Sequence, residues 1–368
     1  MKLSCDKDLL GGALTNVSRV IAARSSIPAL EGVQLKAYGQ SLTLTGYDAE
    51  SGITTTIEAT VEQEGEVVLP ARLFGDMIRK LSCERVELEV GEKLTTEIIG
   101  GAAKFSVMGL DSQEFPELPA VDKGEVISVT QKALRSMLEQ TLFAVAGTDS
   151  KPVHTGCLFD LEDGRLNVVA VDGYRLAMRS EQVPDEGNLR FVVPGKLLGE
   201  LCKLLGEGEE IVGLTVSKRH IIFDIGAYLV VSRLLEGEFL DYKNTIPQEH
   251  STLVGVNTRE MIDGVERVSL LISDRLRSPI KVSFDEEGTV QISCTTALGS
   301  SFDQIGCEVT GGSVTMGFNN KYMLEALKAA DTDKVRIEIS GPLSPIKILP
   351  PAGDGFTFLV LPVRLKNE

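Results

Sequence analysis

The chain has no tryptophan, and aromatic residues make up only 5% of its 368 positions. Proteins that hold single-stranded nucleic acid use aromatic side chains as stacking platforms, so this scarcity argues against base stacking as the main binding mode. The six cysteines are scattered, with no CxxC and no paired spacing. This distribution is typical of free thiols in a reducing cytosol and argues against a disulfide framework or a zinc site.

Long apolar runs are also missing. No stretch approaches the roughly 18–20 apolar residues that cross a bilayer, and the opening MKLSCDKDLL lacks the apolar centre of a signal peptide. The net charge is −16, so the chain as a whole repels polyanions. We therefore expect a cytoplasmic protein whose contact with any nucleic acid is confined to a local basic surface.

The signatures of common catalytic sites are absent as well. The sequence has no Walker loop, no GxGxxG after a strand and no GxSxG elbow, and its three histidines lack a spacing such as HExxH. Asp172 is the one carboxylate in an apolar setting, but the Asp-Gly pair that it begins is first a turn signal between strands. The sequence predicts no catalytic residue, no metal site and no cofactor.

One helix signal occurs three times, and each copy carries two basic residues at matching positions. The copies are VVLPARLFGDMIRKL, FVVPGKLLGELCKLL and TMGFNNKYMLEALKAA. Their cations are Arg72 and Arg79, Lys196 and Lys203, and Lys321 and Lys328. A spacing of seven is two helical turns, so each pair projects from one face. The opposite face is predicted to be apolar, with Leu73, Phe74, Met77, Ile78 and Leu81 in the first copy.

A basic residue opposite an apolar stripe is usually just part of a solvated surface. The repetition of the pair in an acidic chain favours a different interpretation, a segregated basic surface that meets phosphate without binding DNA tightly.

A second helix signal opens each third of the chain, and prolines and helix starts recur at intervals of about 124 residues. The segments between the helices alternate polar and apolar residues with short connections, which indicates antiparallel sheets. We predict an α+β fold of three similar domains, which comprise residues 1–124, 125–249 and 250–368.

Several segments in order resemble the beta sliding clamps of bacterial DNA polymerase III. They are ARSSIPALEGVQLKA, EFPELP, NVVAVDGYRLA, GEFLDYKNTIP, FNNKYMLEAL and LVLPVRL. The resemblance implies three domains of the DNA-clamp fold, each with antiparallel sheets and two helices. Two chains would pair head to tail as a homodimer and form a six-domain ring around double-stranded DNA. It also implies a bacterial, nucleoid-associated protein.

The resemblance assigns DNA contacts to two loops in addition to the six helix cations. Arg24 falls in the loop after the first helix, and Thr148–Val153 is the corresponding loop of the second domain. Relatives often carry aromatic residues in that second loop. Here its sequence is TDSKPV, so we expect Lys151 to make part of the contact.

The resemblance also implies a pocket between the second and third domains that binds short peptides of partner proteins. The partners implied are the polymerase III catalytic subunit, the clamp loader and other proteins with clamp-binding peptides. The matching positions are Val171, Gly173, Tyr174, Arg175, Leu176, Leu240, Asn244, Thr245, Asn319, Tyr322, Leu343, Leu359, Val360, Leu361, Pro362, Val363, Arg364 and Leu365. Tyr174 replaces a common histidine and Val171 a common threonine, which predicts a shifted peptide preference. Taken singly, the apolar members are equally consistent with core.

For the dimer interface, the resemblance points to Lys104 and Phe105 on an edge of the first domain. They would face Leu271, Ile272 and an edge strand near Thr295–Phe302 on the third. The run Leu270–Ile272 is predicted to lie in a helix and is equally consistent with core.

The favoured function is a non-enzymatic processivity factor. The alternative is a repeat-built enzyme or ligand-binding protein with its site between the second and third domains, which tight binding of a small molecule at Arg175 and Arg364 would indicate. A sequence-specific DNA binder is disfavoured by the charge and by the lack of a helix-turn-helix pattern.

Overall fold

A computed structural model of the chain describes residues 1–120, 124–148, 151–273 and 278–365. Asp149 and Ser150 of the predicted DNA loop lie outside these ranges, as do three residues beside the predicted boundary at 124. Two compact units are present. The first unit is Met1–Leu134 with Lys196–Leu234, and the second unit is Arg135–Gly195 with Leu235–Glu368.

The first third of the chain forms a strand, a helix, four strands, a second helix and three strands. The strands are β1 (Lys2–Asp6), β2 (Gly32–Tyr38), β3 (Ser41–Tyr47), β4 (Ser51–Gln63), β5 (Gly65–Pro70), β6 (Arg85–Val90), β7 (Thr95–Gly100) and β8 (Ala103–Met108). The helices are α1 (Lys7–Val17) and α2 (Ala71–Lys80).

The second third repeats this order. Its strands are β9 (Glu125–Thr130), β10 (Gly156–Glu162), β11 (Arg165–Val171), β12 (Arg175–Gln182), β13 (Asn188–Pro194), β14 (Ile211–Val216), β15 (His220–Asp224) and β16 (Tyr228–Arg233). Its helices are α3 (Gln131–Glu139) and α4 (Gly195–Cys202), and the one-turn helix α5 (Tyr242–Thr245) follows in the linker.

The last third has the same order again. Its strands are β17 (Thr252–Asn257), β18 (Ile280–Asp285), β19 (Thr289–Thr296), β20 (Gly299–Gly311), β21 (Val314–Phe318), β22 (Lys334–Ile339), β23 (Ile346–Leu349) and β24 (Phe356–Val360). Its helices are α6 (Thr258–Val268) and α7 (Asn320–Ala329). The predicted threefold α+β repeat is thus confirmed at the level of element order.

Each unit contains one continuous antiparallel sheet. In the first unit the strands run β8-β7-β6-β1-β4-β16-β15-β14-β9. Beside this row, β3 pairs with β4, β2 pairs with β3, and β5 pairs with β2. In the second unit they run β13-β10-β11-β12-β24-β23-β22-β17-β20-β19-β18-β21. No helix in the described part of the chain is long and apolar enough to cross a membrane.

Short polar residues set the starts of several helices. The Asp6 carboxylate accepts hydrogen bonds from the backbone N–H groups of Asp8 and Leu9, at 2.8 and 2.9 Å, and so caps α1. Asn257 caps α6 and Asn319 caps α7 in the same way. Such a cap stabilises a helix by about 1 kcal/mol, because it satisfies N–H groups that have no partner within the helix.

Two details of the repeated helices differ from the prediction. In α2 the buried stripe consists of Ala71, Phe74, Gly75 and Ile78, and Leu73 is 46% exposed because it lies one position off that stripe. In the second copy the helix ends at Cys202, so Lys203 lies in the turn that follows it. The Lys203 N–H bonds the Glu200 carbonyl oxygen at 3.2 Å, a tight closing turn that leads into a glycine-containing loop.

Candidate nucleic-acid interface and peptide pocket

The floor of the predicted peptide pocket is a row of apolar side chains across three adjacent strands. Val171 on β11 is paired in register with Leu176 on β12, and Leu176 is paired with Leu359 on β24. Residues opposite each other on antiparallel strands share a face, so the three side chains pack together. All three are at most 5% exposed and belong to one hydrophobic cluster.

The linker after β16 lies against the same cluster. Leu240 and Ile246 are half-buried against it, while Asn244 and Thr245 are exposed. The side chains of Asn244 and Thr245 both bond back to Asp241, at 2.7 and 2.9 Å, which closes the turn of α5. The linker therefore presents its apolar residues to the floor and its polar residues to solvent.

A buried arginine adjoins this floor. Arg175 follows Asp172 and Gly173 in the turn between β11 and β12, and its Nε donates to Asp172 Oδ2 at 2.9 Å. Its Nη1 bonds Glu325 of α7. The guanidinium also lies 4.5 Å from the centre of the Tyr322 ring, within the range of a cation–π interaction. Asp172 thus lies in a turn, as the Asp-Gly signal predicts, and it also forms an ion pair with Arg175.

Two tyrosines form an aromatic surface beside Arg175. The Tyr174 and Tyr322 rings are stacked with their centres 5.8 Å apart, and Tyr174 is 60% exposed. Partial burial is the main cause that raises the pKa of Tyr322 above its ordinary value, and the nearby Asp172 carboxylate adds to it. The Tyr322 phenol is therefore a neutral hydrogen-bonding group at neutral pH.

The C-terminal segment lies beside these aromatic residues. The Leu361 N–H bonds the Tyr174 carbonyl oxygen at 2.9 Å, and the Val363 N–H bonds the Gly317 carbonyl oxygen at 2.8 Å. A cleft of about 540 Å³ opens beside it. The residues that line the cleft are Ile272, Ser273, Ser278, Pro279, Asn319, Asn320, Lys321, Tyr322, Val363 and Arg364.

The structure therefore brings most of the predicted pocket residues into two adjoining groups within the second unit. Leu343 is 82% exposed in the turn between β22 and β23, and Val360 is fully buried in β24 as plain core. Leu361, Pro362 and Leu365 are half-buried along the C-terminal segment. The sequence did not point to Glu325, to Gly317 or to the buried hydrogen bond from the Tyr242 hydroxyl to Asp160 Oδ2, because the partners lie far apart along the chain.

The predicted DNA-contacting cations are all exposed. Arg24 lies in the loop after α1, and Arg72 and Arg79 lie on α2. Lys196 is on α4, Lys203 follows it, and Lys321 and Lys328 are on α7. Lys151 lines a groove beside the linker residues Phe239 and Leu240.

The predicted interface residues are partly placed as expected. Lys104 and Phe105 lie on β8, the end strand of the first unit's sheet. The run Leu270–Ile272 lies beyond α6, which ends at Val268. Leu270 and Leu271 are in the 3₁₀ helix Ser269–Leu271, and Ile272 follows that helix. Leu270 is 84% exposed, so it is not core. The segment Thr295–Phe302 is the tip of the β19–β20 hairpin and not a single strand.

Comparison with known proteins gives one consistent result. Residues 1–119, 128–241 and 243–364 match the family models of the N-terminal, central and C-terminal domains of the DNA polymerase III beta subunit. The chain is 34% identical over 380 residues to the beta sliding clamp of Halalkalibacterium halodurans, covering 99% of this chain and 100% of the relative. It is 33% identical over 374 residues to that of Staphylococcus epidermidis, covering 99% of both.

Solved structures agree with these sequence matches. The DNA polymerase sliding clamp from Bacillus subtilis has a TM-score of 0.96 to this chain and 31% sequence identity, with 100% of both chains covered. The DNA polymerase III beta subunit from Pseudomonas aeruginosa has a TM-score of 0.94 and 28% identity, covering 99% of this chain and 100% of that one. With three domain matches in order along nearly its whole length, the chain belongs to the family of bacterial DNA polymerase III beta subunits, the beta sliding clamps.

Proposed function

We propose that this sliding clamp works as a ring of two chains, paired head to tail around duplex DNA, that holds the replicative polymerase on its template. A ring is linked to DNA topologically, so it needs no tight contact with the duplex and no catalytic residue of its own. Opening the ring falls to a separate ATP-driven loader. This role places the protein in the bacterial cytoplasm, at the replicating chromosome.

The observation that carries the tethering role is the apolar row of Val171, Leu176 and Leu359 beside an aromatic and charged rim. A short peptide with Leu or Phe anchors binds such a surface by burying its side chains in an apolar cleft. The rim supplies Tyr174, Tyr322 and Arg364 as groups that orient the peptide. The polymerase III catalytic subunit, the loader and other proteins with such peptides would compete for this pocket.

The proposed contacts to DNA are weak and independent of base sequence. Exposed, flexible basic side chains meet the phosphates. They are Arg24, Arg72, Arg79, Lys151, Lys196, Lys203, Lys321 and Lys328. Phosphate contacts of this kind position a protein on DNA without reading bases. The acidic remainder of a chain with net charge −16 discourages DNA from binding elsewhere.

Retention on circular DNA tests the ring. The protein is loaded onto a nicked circle by a cognate loader, and the amount retained is measured before and after the circle is cut once. We expect retention to disappear after linearisation, because a ring slides off a free end. Retention that is unchanged by the cut would mean direct binding and would rule out the ring.

Substitution of an exposed pocket tyrosine tests the tether. Tyr174→Ala removes the stacking partner of Tyr322 without opening the core, and we expect it to weaken binding of the polymerase's clamp-binding peptide about tenfold. Tyr38→Ala is the matched control, because Tyr38 is also an exposed tyrosine, at 47%, on a strand of the first unit. Equal peptide affinity of both variants and the parent protein would contradict the assignment of the pocket.

A further inference from the structure

Each of the three repeated helix segments carries an acid three residues before its second cation. The acids are Asp76, Glu200 and Glu325, and the cations are Arg79, Lys203 and Lys328. In the first copy Arg79 Nη2 lies 2.5 Å from Asp76 Oδ1. In the second copy Lys203 Nζ lies 2.8 and 2.9 Å from the two carboxylate oxygens of Glu200.

In the third copy the second cation is also paired with an acid, but the acid comes from a different helix. Here Glu325 is occupied by the guanidinium of Arg175. Lys328 instead pairs with Glu266 of the neighbouring helix α6, and its Nζ lies 2.6 Å from Glu266 Oε1. The bond from Lys328 also holds the pKa of Glu266 below its ordinary value, so that this carboxylate is charged at neutral pH.

The pairing is therefore more than the ordinary i, i+3 stabilisation of a helix. The acid–cation pair in the third copy joins two helices, and Glu200 also accepts Arg19, which lies beyond α1, at 3.4 Å. What the three copies share is a neutralised second cation. By contrast, two of the three first cations, Arg72 and Lys196, form no ion pair with any residue in the described ranges, and both are exposed.

We propose that Asp76, Glu200 and Glu266 compete with DNA phosphate for the second cation of each repeat and so keep the friction between ring and duplex low. This inference rests on the proposed function, in which the repeated helices face the DNA. Exposed ion pairs are weak and exchange readily, so the acids lower the share of time that each cation spends on a phosphate.

The magnitude of the phosphate contribution explains why such competition is useful. Each neutralised phosphate adds about 0.9 to the slope of log K against log salt concentration on B-DNA. A dimer has six helix cations per chain. If all of them contacted phosphates, the slope would be about 11, which is comparable with the slope of a protein that binds tightly to its site. Complete withdrawal of the second cation of every repeat would lower the slope by about 5, and pairs that exchange readily lower it by less.

The test compares two triple variants with equal charge changes. The helix variant is Asp76→Asn, Glu200→Gln and Glu266→Gln. The control is Glu62→Gln, Glu308→Gln and Asp354→Asn, three acids that also form ion pairs, with Lys2 at 2.9 Å, Lys334 at 3.3 Å and Arg165 at 2.9 Å. The first two control acids lie on β4 and β20, and the third lies in the loop before β24. Both variants leave the proposed phosphate-contacting cations in place.

The measurement is the one-dimensional diffusion coefficient of the loaded ring on stretched duplex DNA at several salt concentrations. We expect the helix variant to diffuse severalfold more slowly than the parent at low salt and to converge with it as salt screens the released cations. The control variant should diffuse at the parental rate throughout. Equal diffusion of all three proteins would overturn the proposal, and so would equal slowing of both variants, which would indicate only a bulk charge effect.

Two further readouts keep the test decisive. If the helix variant does not load, the single change Glu266→Gln is measured instead, and parental diffusion of that variant would overturn the proposal. Loss on linearisation is recorded for every protein. If the helix variant still leaves cut DNA but diffuses as fast as the parent, only this inference is refuted. If the parent protein stays on cut DNA, the proposed function is refuted and this inference with it.

Discussion

At the residue scale, one buried hydrogen bond holds the linker that forms a side of the proposed pocket. The Tyr242 hydroxyl donates to Asp160 Oδ2 at 2.7 Å, and Tyr242 is 2% exposed within the cluster that contains the pocket floor. Burial, together with the bond to Asp160, raises the pKa of Tyr242 well above its ordinary value. The phenol therefore remains a neutral donor, and it anchors the linker to β10.

Tyr242→Phe should loosen this anchor. The change leaves the buried Asp160 carboxylate without one of its donors, which costs about 1–3 kcal/mol of unfolding free energy. We also expect a severalfold loss of affinity for the partner peptide, because Leu240 and Ile246 lose their support. Urea unfolding and peptide titration measure the two effects.

Tyr228→Phe is the matched control for this prediction. The Tyr228 hydroxyl accepts a hydrogen bond from Asn16 Nδ2 at 2.7 Å, within the first unit. We expect this variant to lose stability while it keeps parental peptide affinity. If Tyr242→Phe also kept the parental affinity for the peptide, the bond from Tyr242 to Asp160 would contribute to stability but not to peptide binding.

The cysteines allow a second prediction at this scale. Burial raises the pKa of the Cys157 thiol to about 12 and that of Cys5 to about 11. At pH 8 the reactive thiolate of Cys157 is then only about one part in 10⁴, and its access is blocked as well. We expect iodoacetamide to label the half-buried Cys83 in the folded protein and to label Cys157 only after unfolding, as followed by peptide mass spectrometry. Comparable labelling of both in the folded protein would contradict this burial.

At the scale of elements, the C-terminal segment depends on close packing against β21. A Cβ atom at Gly317 would lie 2.6 Å from the Val363 carbonyl oxygen and 2.8 Å from Leu365 Cδ2. Backbone of the segment therefore approaches β21 at a point where no side chain fits. The position of Val363 and Arg364 beside the cleft follows from this contact.

Gly317→Ala should displace the C-terminal segment. We expect at least about a tenfold loss of affinity for the partner peptide, since small misplacements of a binding surface are costly, with a smaller effect on the thermal midpoint. Gly312→Ala is the control, because a Cβ atom there meets nothing within 4 Å. Calorimetric titration of the peptide against both variants gives the comparison, and unchanged affinity of Gly317→Ala would show that the segment does not form part of the pocket.

At the scale of the whole molecule, the proposed ring depends on an interface that the single chain leaves uncovered. Leu270 and Phe302 are 84% and 64% exposed, and Met108 on the end strand β8 is 62% exposed. Met108 lies on an end strand, Phe302 on the inner strand β20 and Leu270 in the 3₁₀ helix after α6. We propose that a second chain covers these exposed apolar side chains.

Replacement of Leu271 and Ile272 by alanine should yield monomers. The two half-buried side chains lie in and after the 3₁₀ turn next to the exposed Leu270, and their loss removes apolar area from the proposed contact. Analytical ultracentrifugation measures the mass. A control with Ile211→Ala and Leu229→Ala removes exposed apolar side chains from β14 and β16 and should remain a dimer. A dimer mass for the Leu271 and Ile272 variant would contradict the placement of the interface.

Local patterns in the sequence account for most of the elements. Alternation of polar and apolar residues predicted the hairpins, such as β11–β12 around Asp172 and Gly173, since period and turn residues act within a few positions. The errors concern ends and exposure. Lys203 lies past its helix and Leu73 lies off the buried stripe, because tertiary packing decides where a helix ends and which face is covered.

The amino-acid sequence by itself determined the threefold repeat, the α+β element order, the positions of the repeated cations and the family. These properties follow from local periodicity and from motifs that span only a few consecutive residues. Only the tertiary structure decided which charges are paired and which apolar residues meet. Arg175 and Glu325 are 150 residues apart in the sequence, and Tyr242 and Asp160 are 82 apart. Contacts across such separations arise from how strands and helices pack, and no local pattern specifies them.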